Sequence, residues 1–335
     1  MNYYLGIDVG SVSTNLVLID DELTVVEALY IRTRGRPIEA VQEGLEKLGG
    51  SVPAGVRVGG VGTTGSGRQL AAVIAGADVV KNEITSHAVA AMRFVPGART
   101  VIEIGGQDSK IIILRDGVVA DFGMNTICAA GTGSFLDQQA ARLGIPIEQF
   151  GDVALKAMSP VRIAGRCAVF AESDMIHKQQ MGHKVPDILY GLCQALVRNY
   201  LNNVAKGKDI KSPVVFQGGV AANAGIRRAF EEALGLPVTV PEHYHVMGAI
   251  GAAMLARETM ARKGAAPGSR FRGFEASKVP FEGTSFECSH CPNRCEIVEI
   301  SAWGRPVSRW GGRCPRWEVS DGDVAMLTRQ AQRVS

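Results

Sequence analysis

Two stretches decide how this chain folds: Leu5-Gly-Ile-Asp-Val-Gly-Ser-Val-Ser-Thr-Asn-Leu-Val-Leu-Ile-Asp-Asp21 and Thr100-Val-Ile-Glu-Ile-Gly-Gly-Gln-Asp-Ser-Lys-Ile-Ile-Ile-Leu-Arg-Asp116. They align without a gap, 95 residues apart, with Asp8 on Glu103, Gly10 on Gly105, Ser13 on Asp108 and Asp21 on Asp116. Each copy is an apolar strand, an acid, a run of glycine and small polar residues, and a second apolar strand. That pattern is a β-hairpin with a carboxylate at its mouth and a turn rich in free backbone N–H groups. Such a turn cradles anions, and the carboxylate can hold a hydrated Mg2+. Two such hairpins facing each other would grip a polyphosphate from both sides.

Outward from the hairpins, strands and helices alternate. Tyr4–Ile7, Leu16–Ile19, Val25–Ile31, Val56–Gly60, Thr100–Ile104, Lys110–Leu114 and Val214–Gln217 read as strands. Ile38–Leu48, Ser66–Ala75, Gly133–Leu143, Asp187–Val204, Ala224–Leu234 and Val246–Met260 read as helices, the first with Pro37 in its opening turn. This is an α/β chain. The duplication divides it into a first lobe over 1–95 and a second over 96–262. A Gly/Pro-rich stretch over 263–285 reads as a linker, followed by a cysteine-rich module over 286–335.

Composition narrows the classes. Of 335 residues, 46% are apolar, which excludes wholesale disorder. Glycine is abundant, at 40 residues, and aromatics are scarce at 6%, which suits backbone-lined loops better than aromatic binding surfaces. No apolar run approaches the ~18 residues of a membrane span, and the start, Met-Asn-Tyr-Tyr, has no basic n-region. The expectation is a cytoplasmic protein, in which the seven cysteines are not disulfides. From Arg257 onward, 13 Lys and Arg stand against 9 Asp and Glu, a modest excess interleaved with acids. That argues against nucleic acid as a partner.

No Walker-type phosphate loop occurs. Gly60-Val-Gly62-Thr-Thr-Gly65 matches the dinucleotide spacing, but it follows three strands instead of opening a βαβ unit. A third glycine cluster, Gln217-Gly-Gly-Val-Ala-Ala-Asn223, joins a buried strand to a helix and reads as the wall beside an adenosine.

Two hairpin phosphate loops with a late Gly-Gly-Val turn resemble the actin-like ATPases, whose duplicated ribonuclease H-like lobes flank a nucleotide cleft. Val101–Lys110, Asn125-Thr-Ile-Cys-Ala-Ala-Gly-Thr-Gly-Ser-Phe-Leu-Asp137 and Cys167-Ala-Val-Phe-Ala-Glu-Ser-Asp174 resemble more narrowly the activases of 2-hydroxyacyl-CoA dehydratases. The ATPase subunits of benzoyl-CoA reductases belong to the same family. The resemblance covers residues 3–258. It implies a homodimer holding one [4Fe–4S] cluster on two cysteines from each chain, here Cys128 and Cys167. It also implies that ATP drives a low-potential electron from that cluster to an iron–sulfur acceptor enzyme. The acceptor would be a dehydratase, a benzoyl-CoA-type reductase or a double-cubane cluster protein. Ferredoxin or flavodoxin would resupply the electron. Both cysteines precede expected helices, whose N-termini stabilise a thiolate and an anionic cluster.

The same resemblance assigns Asp8, Gly10, Ser11 and Ser13 to the first phosphate loop, and Glu103, Gly105, Gly106, Gln107 and Asp108 to the second. Gly131, Thr132 and Gly133 match the glycine turn beside the nucleotide; Gly218, Gly219, Val220 and Asn223 match the adenosine segment. Asp8 and Glu103 would serve Mg2+, and Gln107 and Asp108 are the candidates for positioning the hydrolytic water. Two positions depart from the family pattern. Asn15 stands where many relatives have Lys, with Lys110, its repeat partner, as the candidate offset, and Glu103 stands where many have Asp.

Cys288-x2-Cys291-x3-Cys295 and a returning Cys314 form a separate constellation with metal-ligand spacing, open to an iron–sulfur cluster or to zinc. Cys193 reads as core packing. His177, His183, His243 and His245 read as structural or surface residues. Trp303, Trp310 and Trp317 read as a small core around the tail metal. The competing functions are a small-molecule kinase of the same superfamily and a regulatory ATP-binding protein.

Overall fold

The structure is a computed structural model describing residues 2–53, 56–125, 129–263 and 268–318. The chain opens with β1 (Asn2–Val9), β2 (Ser13–Ile19) and β3 (Val25–Arg32), an antiparallel meander. Helix α1 (Pro37–Ser51) follows, with Pro37 at its first position, where a missing N–H costs nothing. Then come β4 (Arg57–Thr64), parallel to β1, α2 (Arg68–Ala75) and a short β5 (Val79–Val80). The sheet order is β3-β2-β1-β4-β5.

Helix α3 (Glu83–Phe94) leads to a second copy of this plan. It comprises β6 (Thr100–Ile104), β7 (Ser109–Arg115), β8 (Val118–Asn125), α4 (Gly133–Arg142), α5 (Ile147–Ala154), α6 (Ala168–Gln180), α7 (Val185–Asn203), β9 (Val214–Gln217), α8 (Ala224–Leu234) and β10 (Val238–Thr239). Its sheet runs β10-β9-β6-β7-β8, the mirror-read equivalent of the first: a hairpin, a third antiparallel strand, and parallel neighbours beyond the lead strand. The duplication holds to the residue. Asp8 pairs across its hairpin with Asn15, and Glu103 with Lys110. The turns close with the same bond, Gly10 N–H to Ser13 O at 2.9 Å and Gly105 N–H to Asp108 O at 3.0 Å.

The chain returns through α9 (Met247–Lys263) and ends in an antiparallel sheet of β11 (Phe281–Glu287), β12 (Glu296–Ala302) and β13 (Arg305–Trp310). Contacts divide the molecule into one unit of residues 1–86 with 248–335, and another of 87–247. The sequence-based boundary at residue 95 therefore lies in the structure at Ser86/His87. Helix α9, assigned from sequence to the second lobe, groups with the first unit. Strand alternation explains this. Leu5, Ile7 and Val9 of β1 enter the core with Val41, Leu45 and Leu48 of α1. Gly6 and Gly62 receive α9 instead, so closely that a Cβ would sit 1.8 Å from Ala249 O and 2.0 Å from Ala252 O.

Residues 268–285, expected as linker, are packed structure. Arg270 N–H and Ser269 Oγ bond Asp78, and Arg272 N–H donates to Ala75 O at 3.0 Å. Ala276, Val279 and Phe281 are buried in the same core as β1, and Gln42 Nε2 of α1 donates to Val279 O at 2.6 Å. The apolar residues at 271, 274, 276, 279 and 281 hold this Gly-rich stretch against α1 and α2. The second unit has its own core, in which Tyr200 of α7, Phe230 of α8 and Phe216 of β9 meet edge to face. Among the described residues, no helix is long and apolar enough to cross a membrane.

Candidate functional site

In the second unit the fold gathers three glycine motifs that are far apart in sequence. The N-terminus of α4 sits on the β6–β7 turn: Gly133 N–H donates to Gly105 O and Ser134 N–H to Gly106 O, both at 2.9 Å, and Ser134 Oγ also reaches Gly106 O. A Cβ on Gly133 would lie 3.1 Å from both Gly105 O and Val220 Cγ2. Gly131 lies beside Asn199, Asn125 and Ser109, and Thr132 is the buried residue preceding α4. Gly105, Gly106, Gly133 and Val220 therefore meet, with Gly218 against Ile104 O and Glu103 Oε1 and Gly219 opening the turn after β9. Asn223 also serves the helix that follows, because its Oδ1 caps α8 by accepting from Ile226 N–H at 3.1 Å.

Glu103 lies beside Gly218, buried, between Lys110 on β7 and Gln217 on β9. Lys110 Nζ donates to Glu103 Oε2 at 3.0 Å and to Asp108 Oδ2 at 2.8 Å. Burial opposes the ammonium's charge, but the two carboxylates outweigh it and raise the Lys110 pKa above the ordinary lysine value. Gln107 is exposed at the turn, while Asp108 is held by Lys110. Gln217 Nε2 bonds His87 Nδ1 at 2.8 Å. Burial, with Lys110 nearby, lowers the His87 pKa to about 3, so the ring is neutral and accepts this bond through Nδ1.

The first unit repeats the arrangement with different charges. Asp8 is flanked by Asn15 on β2 and Thr64 on β4. Ser11 is exposed at the turn, and Ser13 opens β2 with its carbonyl bound to Gly10. Gly65, in the left-handed region at φ 85°, lies against the acid, where a Cβ would sit 2.4 Å from Asp8 Oδ1. Its counterpart is Gly218, at φ 89°, where a Cβ would sit 2.7 Å from Glu103 Oε1. Only glycine serves either position. Sequence reasoning misses Gly65 because its cluster, once rejected as a dinucleotide motif, is given no other role. Comparing the residue after β4 with the residue after β9 would have found it. Asn15 Oδ1, Thr63 Oγ1 and Thr64 Oγ1 here, and Ser109 Oγ and Gln217 Oε1 in the other unit, are buried without hydrogen-bond partners among the described residues. Buried polar atoms of this kind are normally satisfied by a partner or a bound water.

Cys167 stands at the N-terminus of α6 with extended backbone. It rims a cavity of about 870 Å3 whose other walls include Arg162, Arg166, Arg198, Lys206 and Phe170. Arg198 Nη2 donates to Ile163 O and Asn199 Nδ2 to Gly165 O, which fixes the loop leading to the cysteine. Burial, with Arg162 close by, lowers the Arg198 pKa. Val169 and Phe170, beyond Cys167, are each 68% exposed. Cys128, the other expected cluster ligand, lies outside the described residues.

Cys288, Cys291, Cys295 and Cys314 line one cavity of about 280 Å3 with His290 and Trp317. Cys288 N–H donates to Cys295 O at 2.8 Å, closing the three-cysteine loop. The Trp317 side chain and the His290 backbone N–H lower the Cys288 pKa. Among the described residues, no group of three or more His, Cys, Asp or Glu side chains is arranged to hold one metal ion. Of the tryptophans expected around this site, only Trp317 belongs there. Trp310 packs toward the β1 core, and Trp303 sits in the β12–β13 turn at φ 50°. Cys193 is fully buried in the second core, where burial raises its pKa. His243 packs edge to face on Phe94.

Duplicated five-stranded sheets, each with an acid and a glycine turn at its lead hairpin, define the actin-like class of ATPases. The chain belongs to the BadF/BadG/BcrA/BcrD ATPase family, whose model matches residues 5–256. It is 34% identical over 267 residues to the (R)-2-hydroxyglutaryl-CoA dehydratase activating ATPase of Acidaminococcus fermentans, covering 78% of this chain and 99% of that one. The crystal structure of that dehydratase's component A superposes with a TM-score of 0.71 at 33% identity, over 78% of this chain and 100% of the other. The activator of the 2-hydroxyisocaproyl-CoA dehydratase from Clostridium difficile, solved with bound ADPNP, gives a TM-score of 0.70 at 30% identity, over 78% and 96%. The family match ends before β11, so the cysteine-rich tail lies outside it.

Proposed function

We propose that this ATPase is an electron-transfer activase. ATP and Mg2+ are taken by the two glycine turns, and a [4Fe–4S] cluster by Cys128 and Cys167 of two chains in a homodimer. The observation that carries this is Cys167 itself: an accessible thiol at a helix N-terminus, beside a cavity with four cationic side chains, in a member of an ATPase family whose relatives activate dehydratases. The fit is chemical. A thiolate-bound cluster is anionic, and a helix N-terminus with arginines stabilises anions. Two cysteines per chain leave such a cluster half ligated, so a second copy completes it. Exposed Val169 and Phe170 supply apolar surface for that contact. When bound, the cluster supplies a one-electron carrier.

For the nucleotide, Asp8 and Glu103 hold hydrated Mg2+ and the turn N–H groups hold phosphate oxygens. Gln107 is the stronger candidate for positioning water, because Lys110 occupies Asp108. The acceptor is an iron–sulfur dehydratase or reductase, and the donor is ferredoxin or flavodoxin. The four tail cysteines form a second metal site. Anaerobic purification followed by EPR of the dithionite-reduced protein tests the main reading. An S = 1/2 signal that changes with Mg-ATP and disappears in Cys167→Ser supports it. A colourless, air-stable monomer that phosphorylates a hydroxyl compound overturns it.

A further inference from the structure

On the reading of Glu103 as an acid that serves hydrated Mg2+, we propose that His87 is a positioning residue for the nucleotide site. By holding the Gln217 amide, it presents that side chain's carbonyl oxygen beside Glu103, where the oxygen accepts from the water shell of the nucleotide's Mg2+.

Gln217 has the right place. It is the last residue of β9, in parallel register with Glu103 on β6. Ile102, Ile104 and Phe216 enter the core of the second unit, so strand alternation sends Glu103 and Gln217 together to the opposite face. In-register neighbours on adjacent strands stand about 4.8 Å apart. Lys110 takes Glu103 Oε2 at 3.0 Å from the β7 side. Oε1 lies toward β9, where a Cβ on Gly218 would meet it at 2.7 Å. Gly218 is the residue directly after Gln217, and its N–H is anchored on Tyr244 O at 2.8 Å.

His87, on α3, decides which end of the amide faces the site. Gln217 Nε2 and His87 Nδ1 are 2.8 Å apart, and both side chains are buried. The neutral ring takes the amide N–H on the Nδ1 lone pair. With the nitrogen end tied to the imidazole, the oxygen end is left for the site. Gln217 Oε1 is buried and has no partner among the described residues. A carbonyl oxygen beside a carboxylate sets two acceptors side by side, and metal-bound waters are donors to such a pair.

The first unit repeats the position with another residue. Thr64 is in register with Asp8, directly precedes the positive-φ Gly65, and has a buried Oγ1 without a partner among the described residues. Folding alone is served better by an apolar side chain at a buried place. A polar side chain next to the acid and before the glycine in both units points to the site.

Isothermal titration of the full chain with the ATP analogue ADPNP, once in MgCl2 and once in EDTA, tests the proposal. Wild type should bind more tightly in MgCl2; equal affinities overturn the assignment of the acids to Mg2+ and the role of His87 with it. His87→Leu and Gln217→Leu should each weaken binding about tenfold in MgCl2 and less than about twofold in EDTA. The two together should lose no more than about twofold beyond either alone, because they act as one unit. His87→Asn supplies an amide oxygen in place of Nδ1 and should bind within about threefold of wild type. Equal losses in MgCl2 and EDTA mark a merely structural role and overturn the proposal. So does an unchanged affinity in MgCl2, or a His87→Asn protein as weak as His87→Leu. Should the leucine variants fail to fold, nitrogen NMR of wild type carrying isotope-labelled histidine decides. An unprotonated His87 Nδ1 that shifts when MgCl2 is added to the ADPNP complex is expected; a protonated Nδ1, or no shift, overturns the proposal.

Discussion

The two lead hairpins share their backbone and differ in charge. In the first, Asp8 faces the neutral amide of Asn15; in the second, Glu103 faces Lys110, which also holds Asp108. The two copies share register, closing bond and positive-φ glycine, so the difference lies in side chains alone. A carboxylate opposite an amide keeps its charge for a cation. A carboxylate already paired with a buried ammonium is half neutralised, and serves to hold the turn. The two hairpins are thus equivalent in backbone, and Asn15 and Lys110 make them differ in charge; under the proposed function the first is the stronger Mg2+ ligand and the second the more rigid phosphate turn.

Breaking the buried pair should have the largest effect. Lys110→Met leaves Glu103 buried and uncompensated, and should cost about 3–5 kcal/mol of stability. Urea unfolding followed by circular dichroism measures it, and adding Glu103→Gln should recover much of the loss. The matching change Asn15→Leu should cost much less; equal losses would erase the contrast. Next, Asp8→Asn should lower the ATPase kcat by about 100-fold or more, since it removes the carboxylate assigned to Mg2+. Glu103→Gln should lower it less, and a reversed order would exchange the two roles. Third, His87 is neutral in the fold and its pKa is lowered to about 3 from 6.5. The unfolded chain binds the proton first, so stability should fall by about 1.4 kcal/mol per pH unit as pH drops below 6.5 toward 3. His87→Asn should flatten that slope in acid titrations of the second unit. Gly65→Ala and Gly218→Ala should each cost about 1 kcal/mol from the positive φ and more from the clash of the new Cβ with Val9 O at 2.5 Å or Ile104 O at 2.4 Å. Both should weaken ATP binding, read by isothermal titration.

The repeat made both lead hairpins legible, because an apolar strand, a Gly-containing turn and a second apolar strand recur at the same spacing; that Asp8 pairs with residue 15 and Glu103 with residue 110 came from the structure. The convergence of Gly105, Gly133 and Val220 could be expected only through family resemblance, since no local pattern links residues so far apart in sequence. Strand β8 escaped a sequence reading. It is an edge strand with Val118 and Phe122 exposed, so its hydrophobic pattern points to no buried face. The packing of 268–285 was hidden by its glycines and prolines, which mark a loop whether or not its phenylalanines find a core. His87 was invisible because its partner, Gln217, lies 130 residues away.

Helix α9 has a consequence for the order in which the molecule is made. The second unit is one continuous stretch, 87–247, whereas the first needs residues on both sides of it. Gly6 and Gly62 leave the ribosome early, yet the helix that covers them is synthesised only after the whole second unit, a delay on the order of tens of seconds. The part of the chain born first is therefore the last to close. A chain ended at residue 247 should contain a protease-resistant second unit beside a first unit that is readily digested.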